Sequence, residues 1–519
     1  VTTQARAALT TAAALVVVIA LVPLIALVAQ FVSGSAMAKL GDTLGRGATW
    51  ALLLRSIGLA LMVTLVALCI GVPMGMLVAR TDAVFARVAF AIHCVPVFLP
   101  PVVLALGWFH LLGREGMVGS AWTSSLLFGW WGVVMTLGFA LAPIVSALTL
   151  IGLLGINPSL EEAGRTSHTP LRVLTRISLP LAARSIALAA VIVFALALSE
   201  LGVPMFLRVK TYPAAVFTRV AGLSYAPGEA LALVTPLLLV AGLLVLVDRR
   251  WLGPLSATGM GMRSATPTRY SLGRHRVVTS CALWLVALLP LAPLLALIDA
   301  ASAGGFGRAR WWMHDSLATS LVIATAAATV VVALGIIVGH ALARSGRAAS
   351  LIDAGATLSF FVPSAVLGAG LIATWNRPST QLVYTTAAIL VVGLTARYAV
   401  VGTRTLTAVF ARSSAHYEHA AAVAGASYLR RLARIVLPMH ARGVIGVWLL
   451  AFVFCMRDLD TVIVFYPPGL DPLTVRIFTL EANGPPSVVA ALCLVQTAVT
   501  LVAVGLGLLL LSRVGRRVA

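Results

Sequence analysis

Charge is what this sequence has least of. Only 10% of its 519 residues are Asp, Glu, Lys or Arg, against 60% apolar. Soluble domains carry about 25% charged residues, so a water-facing surface cannot be assembled from this composition. Lysine is nearly missing: Lys39 and Lys210 stand alone, and neither follows glycine. The Gly-Lys-Ser/Thr core of a phosphate-binding loop is therefore absent, and ATP hydrolysis through that motif is excluded. The chain reads as no enzyme and as binding no cofactor. The five cysteines (Cys69, Cys94, Cys281, Cys455 and Cys493) all sit in apolar runs without a CxxC, which excludes a zinc ribbon or a redox pair. His416 and His419, three apart around Glu418, lack a further ligand, so no metal site is expected. Alternating strand patterns are missing too, which argues against an outer-membrane barrel.

What is present is a series of long apolar runs, with a mean hydropathy of +1.03, many of them long enough for the roughly 20 residues that cross a bilayer as a helix. They predict helices over 8–33, 51–79, 88–112, 125–154, 178–201 and 229–248. Six more follow over 277–299, 315–343, 351–375, 382–406, 435–457 and 488–511. The run after Arg6 is too long for a signal peptide and lacks a convincing cleavage site, so it reads as the first membrane helix. The expectation is an all-α integral membrane protein of about 12 transmembrane helices. It falls into a first unit (1–248), a Gly/Pro/Arg-rich linker (249–276) and a second unit (277–519).

The formal charge of +21 would suit a nucleic-acid partner if it were gathered in a domain. It is instead spread over the ends of the runs, as the positive-inside rule requires, and no nucleic acid is expected. With the N-terminus in the cytoplasm, the linker and the tail RVGRRVA also fall there, together with LVARTDAVFAR (77–87) and ALARSGRA (341–348). The lipid bilayer is the partner that the composition names.

The two units repeat each other. SLEEAGRTSHTPLRVLTRISLP (159–180) aligns without gaps on YEHAAAVAGASYLRRLARIVLP (417–438), with identities such as Ala163/Ala421, Ile177/Ile435, Leu179/Leu437 and Pro180/Pro438. LPPVVLALG (99–107) and FVPSAVLGAG (361–370) share a pattern. Repeats running in the same direction with an even number of spans are parallel repeats about an axis along the membrane normal. Both copies of the long segment fall in a cytoplasmic loop before the fifth helix of their unit. Each predicts a short helix outside the membrane, whose small residues let a second protein approach closely, with Pro180 and Pro438 opening the next membrane helix.

Ionisable groups at membrane depth are functional candidates by default. Arg397 lies inside the tenth helix. Glu200 and Asp458 close the fifth and eleventh helices at equivalent places, with Arg457 adjacent. These four are candidate gate or translocation residues.

The repeated segment resembles the EAA loop of binding-protein-dependent ABC importer permeases: Glu-Ala-Ala, three residues, Gly, nine residues, Ile-x-Leu-Pro. The first copy matches at Glu161, Ala163, Ile177, Leu179 and Pro180, with Glu162 for the first Ala and Ser167 for Gly. The second matches at Ala420, Ala421, Gly425, Ile435, Leu437 and Pro438, with His419, next to Glu418, in place of the Glu. Two six-helix units in one chain, and the segment 457–480, are similar to the ferric-iron, thiamine and 2-aminoethylphosphonate group of these importers. The resemblance implies a type I importer permease in the bacterial inner membrane, multi-pass, with both termini cytoplasmic. It also implies two copies of a cytoplasmic ABC ATPase (which would carry the ATP and Mg) on the two loops, and a periplasmic solute-binding protein. The competing readings are an ion-gradient-driven 6+6 transporter, which would need buried mid-helix carboxylates, and a membrane scaffold.

Overall fold

The computed structural model describes residues 3–29, 34–221, 227–252, 269–344 and 347–518. Most of the linker expected over 249–276 lies outside them. Among the described residues all named elements are helical, and the isolated bridge between Thr81 and Tyr270 is the extended pairing seen.

Among the described residues nine helices are long and apolar enough to cross a membrane, and three further helix pairs pass the same test with a sharp bend between their arms. Numbered in chain order, the spans are α1 (Gln4–Ala29), α2 (Gly47–Arg80), α3 (Ala86–Phe98 bent into Pro101–Leu112), α4 (Trp130–Leu154), α5 (Pro170–Ser199) and α6 (Ala232–Trp251). In the second unit they are α7 (Gly273–Ser302), α8 (Ser316–Ala343), α9 (Ala349–Phe361 bent into Ser364–Trp375), α10 (Ala388–Phe410), α11 (Tyr428–Met439 bent into Ala441–Arg457) and α12 (Pro486–Arg513). Each coincides with one of the twelve expected runs.

Two expectations need correction. The expected helices over 88–112, 351–375 and 435–457 are interrupted by bends of 102°, 111° and 85°. In the first two the cause is proline. Leu99, Pro100 and Pro363 take ψ of 145°, 132° and 144°, the extended conformation forced on a residue before proline and open to proline itself. The chain then restarts as a helix with Pro101 at its first position. The second correction concerns Pro180 and Pro438, which do not open the fifth and eleventh spans. The helix already runs from Pro170 and Tyr428, and a π turn (Leu174–Ser178, Leu432–Val436) precedes each proline. A wide turn relieves the clash that a helical proline makes with the carbonyl four residues back.

Small residues set the helix packing, as expected where lipid removes the hydrophobic drive between helices. Gly71 and Gly75 lie one turn apart on α2. A Cβ on Gly71 would meet Val145 at 2.5 Å, and one on Gly75 the Ser146 carbonyl at 2.7 Å. Gly335 and Gly339 of α8 meet Gly402 and Thr403 of α10 in the same way, at 2.6 and 2.8 Å. The second and fourth spans of each unit are thus seamed alike.

The two units are interleaved rather than separate. Gly107, in the second arm of α3, abuts Pro293 of α7, where a Cβ would come within 2.6 Å. Gly370, in the second arm of α9, abuts the Pro23 carbonyl of α1 at the same 2.6 Å. The first span of each unit therefore packs on the bent third span of the other, and one apolar core runs from Ala12 to Cys493. Gly107→Ala and Gly370→Ala are expected to cost about 1–3 kcal/mol each through overpacking. Gly242→Ala, with nothing within 4 Å, should be neutral or slightly stabilising. Thermal unfolding of the purified protein checks this; equal melting points for all three would refute the interleaving.

Candidate functional site: two repeated segments and a cavity between the units

The repeated segments fold alike. Short helices Pro158–Arg165 and His416–Val423 are each followed by one further helical turn (Pro170–Val173, Tyr428–Arg431) and then the π turn, all at a constant separation of 258 residues. Asn157 caps the first short helix by accepting from Ser159 N–H at 3.1 Å.

Each short helix is anchored by a buried glutamate. Glu161 is fully buried and accepts from Arg80 Nε at 2.9 Å and Ser178 Oγ at 2.6 Å. Arg80, the last residue of α2, also donates from Nη2 to the Leu153 carbonyl at 2.6 Å. In the second copy the anchor is Glu418, not the register position His419, whose side chain is exposed. Glu418 accepts from Arg344 at 2.6 and 3.1 Å and lies 2.8 Å from His340 Nε2. Burial alone would raise the Glu418 pKa. The hydrogen bonds and charges of His340 and Arg344 outweigh burial and hold it at about 2.

The remaining segment residues divide by face. Ile177 packs under Gly164, where a Cβ would lie 2.5 Å from it. Leu179, Ala421, Ile435 and Leu437 are half-buried, while Glu162, Ala163, Ser167, Pro180, Ala420, Gly425 and Pro438 are exposed. Gly425 has φ +81° and ends its helix with a bond from Ala426 N–H to the Ala421 carbonyl, a left-handed cap that glycine favours. Ser167 avoids that conformation, and Thr166 Oγ1 instead donates to the Ala163 carbonyl at 2.7 Å. Large apolar side chains stand out on both outer faces: Leu160 and Leu171 on the first, Tyr417, Val423 and Leu429 on the second, Val423 at 91% exposure.

The end of the linker closes over the first anchor. Tyr270 N–H donates to the Arg80 carbonyl at 2.7 Å, Leu272 N–H to Asp82 at 2.9 Å, and the Tyr270 ring lies 5.6 Å from the Arg165 guanidinium. On the same side, Arg404 of α10 joins the units. It donates to both oxygens of Asp248, at the end of α6, at 2.8 and 2.7 Å, and to Asp353 of α9 at 3.2 and 3.1 Å.

At the opposite ends of α5 and α11 the four candidate gate residues Glu200, Arg397, Arg457 and Asp458 line one small cavity. Pro101 and Ser364, the first residues after the bends of α3 and α9, line it too. Arg397 donates to the Phe360 carbonyl and to Ser199 Oγ, both at 2.8 Å. Asp458 accepts from Tyr398 OH at 2.6 Å and from Thr461 N–H and Oγ1 at 2.7 and 2.9 Å. Arg457 donates across the unit boundary to the Val97 carbonyl. Asp460, which the sequence placed only in an outer loop, accepts from the N–H groups of Leu201 and Gly202 at 3.0 and 3.2 Å. It was legible only as the register mate of Gly202, a change from no side chain to a charged one.

Residues 67–254, from within α2 through the first segment to the end of α6, match the family described as the binding-protein-dependent transport system inner membrane component. The first unit carries this family's permease domain. The permease is 29% identical over 210 residues to PhnV of Salmonella paratyphi A, named as a permease protein of a 2-aminoethylphosphonate transport system; the match covers 39% of this chain and 75% of PhnV. It is 28% identical over 213 residues to ModB of Mycobacterium tuberculosis, a molybdenum transport system permease protein, covering 37% and 76%. Against FbpB of Actinobacillus pleuropneumoniae, a ferric transport system permease protein, identity is 22% over 490 residues, covering 88% of the permease and 71% of FbpB. The last match spans both units. The permease is a multi-pass inner-membrane protein of an ABC importer and not itself an enzyme.

Proposed function

We propose that the chain supplies both halves of the translocation path of its importer, with units 1–248 and 277–519 each holding one copy of an ABC ATPase. The observation that carries this is the duplicated anchor. Each repeated segment is fixed to the end of its unit's second span through a buried glutamate (Glu161 to Arg80, Glu418 to Arg344). Each also turns exposed apolar side chains away from the protein. Apolar groups outside the membrane, on a rigidly held helix, mark a protein contact. In this reading the segments and both termini face the cytoplasm, and ATP and Mg reside on the ATPases. A periplasmic binding protein delivers the solute to the cavity side. There the contacts of Arg457 with Val97, Arg397 with Ser199 and Asp460 with Leu201 hold the two units shut as the outer gate. The solute belongs to the group transported by the relatives or to the thiamine class.

Crosslinked capture from native membranes tests the arrangement, with partners identified by mass spectrometry and counted in the intact complex. Two ABC ATPase copies per chain are expected. Val423→Asp should leave one, and Val423→Asp with Leu171→Asp none, because a charge in an apolar contact centre costs several kcal/mol while both sites are exposed enough to leave the fold intact. Retention of both copies in the double variant would remove the segments from the contact.

A further inference from the structure

Three carboxyl groups, Glu200, Asp458 and Asp460, line the cavity between the units beside two arginines, Arg397 and Arg457. Fully ionised, the carboxyls would outnumber the guanidiniums by one. Neither arginine has a carboxylate oxygen within 4.0 Å among the described residues. Arg397 donates instead to Ser199 and to the Phe360 and Val362 carbonyls, and Arg457 to the Val97 carbonyl. A buried carboxylate without a direct counter-charge is costly, so the partners the carboxyls find are informative. Asp458 takes Tyr398 OH and two bonds from Thr461. Glu200 and Asp460 take each other.

Glu200 follows α5 of the first unit, Asp460 lies in the loop after α11 of the second, and their carboxyl groups are within hydrogen-bonding distance of each other. Glu200 Oε1 accepts from Val203 N–H at 3.4 Å, and Asp460 Oδ1 from the N–H groups of Leu201 and Gly202 at 3.0 and 3.2 Å. An ionised carboxyl accepts and cannot donate, so two carboxylates have no bond to make with each other. One proton between them supplies it. Glu200 has the single, longer N–H bond and is the worse-stabilised anion, so the proton sits on Glu200 and the charge on Asp460. Burial and the Asp460 charge push the Glu200 carboxyl well above the usual carboxylate range, against the opposing charge of Arg457. The other groups facing the pair are Asp458 and, on α10, Arg397 and Tyr398; α3, α4 and α9 bring no titratable side chain to this cavity. At the separation of 258 residues the mates of Glu200 and Asp460 are Asp458 and Gly202. Glycine offers no carboxyl, so the repeat forms this pair once.

We propose that Glu200 and Asp460 are a proton-binding latch between the units, in which the outer gate closes on one proton shared by the two carboxyls and opens by releasing it. The inference rests on the reading of this cavity as the outer gate. Closing forms one O–H bond on Glu200 with a proton taken from water, and opening breaks it; nothing is oxidised or reduced. Asp460 is half-buried, which gives the proton its way in. When the units part, Glu200 returns towards the ordinary glutamate value of about 4.3. A carboxyl whose pKa is higher in the closed state favours closure most below the open-state value, and that preference is lost as pH rises towards the closed-state value. Between the two, the ratio of open to closed should grow by about tenfold per pH unit.

The test uses the full chain in lipid nanodiscs. Near neutral pH its infrared spectrum should contain the carbonyl stretch of a protonated carboxyl, shifted in heavy water and titrating away as pH rises. The band should vanish in Glu200→Gln and also in Asp460→Asn, which places an amide donor on Glu200 and leaves it no need of a proton. Opening is read by the distance between nitroxides at Trp122→Cys and Leu382→Cys, with the native cysteines replaced. Both positions are exposed and lie between the third and fourth spans of their units, on the cavity side. The separated population should grow by about 10-fold or more from about pH 5.5 to about 8.5, and stay flat in Glu200→Gln, whose amide still donates to Asp460. No such band, a band indifferent to both substitutions, or a distance that ignores pH would each overturn the proposal. If one variant fails to fold, the other and the wild-type titration still decide. ATPase capture on the same preparation separates the two readings. Capture without the band ends this inference and leaves the transport assignment standing; the band without capture does the reverse.

Discussion

Arg80→Ala is expected to release the first repeated segment from the membrane helices and abolish ATPase capture on that side. Glu161 has no exposure at all, and Arg80 has 1%. Removing the arginine strands a buried carboxylate with Ser178 as its remaining donor, a loss of about 3–5 kcal/mol for a broken buried pair. Arg344→Ala should cost less, because His340 remains 2.8 Å from Glu418 and Arg344 is partly exposed. Glu161→Gln should also be milder than Arg80→Ala: it takes the counter-charge from Arg80, but the amide oxygen still accepts from Ser178 and Arg80, and Arg80 keeps its bond to the Leu153 carbonyl. Hydrogen exchange over 158–169 and 416–427 reports each segment separately. Protection should collapse in the first for Arg80→Ala and fall modestly in the second for Arg344→Ala. Unchanged protection in Arg80→Ala would show that the segment is held by packing alone. The second anchor also has a pH signature. The Glu418 pKa is lowered to about 2, so its contribution is fully present above the ordinary carboxylate value and is lost as pH falls from about 4.5 towards 2.

How far the sequence reached can be judged from particular residues. The number and place of the spans followed from apolar runs, because the bilayer demands length and composition before anything else. The register of the repeat was equally open, since the short helices and π turns recur at the separation of 258 residues read from Pro180 and Pro438. Glu200, Asp458, Arg457 and Arg397 were found as isolated charges in apolar surroundings, and the structure gathers them around one cavity. What stayed hidden was direction. The bends at Pro100 and Pro363 were present as residues, yet hydropathy measures length and is blind to a turn of about a right angle. The anchoring glutamate of the second segment shifted by one residue, from the register position His419 to Glu418. Its partner is Arg344, one residue beyond α8, whereas Arg80 is still inside α2. A gapless alignment sees neither shift. The paired glycines at 71/75 and 335/339 were a legible signal for helix seams that charge- and motif-centred reading passes over.

Arg404→Ala is expected to open the units on the side of the repeated segments and uncouple ATP hydrolysis from solute. Arg404 sits between Asp248 of the first unit and Asp353 of the second, with bidentate bonds to Asp248 at 2.8 and 2.7 Å. It is the cross-unit counterweight to the contacts that close the cavity at the opposite ends of α5 and α11. Without it, two buried carboxylates face each other. The helices part to relieve their repulsion, at a cost of about 3–5 kcal/mol. In the intact importer this should appear as ATP hydrolysis that no longer depends on loaded binding protein. The partners separate the causes. Asp248→Asn breaks the link between units and should reproduce much of the effect, whereas Asp353→Asn alters a pair within the second unit, leaves the cross-unit pair with Asp248 intact and should change coupling little. Asp248→Asn with Arg404→Gln removes both charges of the cross-unit pair, so it should be less destabilised than Arg404→Ala alone, because removing both members of a buried pair is cheaper than stranding one. A double-mutant cycle that gave simple additivity would mean the two side chains do not act as a pair. A strong interaction energy together with unchanged coupling would make the link a structural brace with no part in gating.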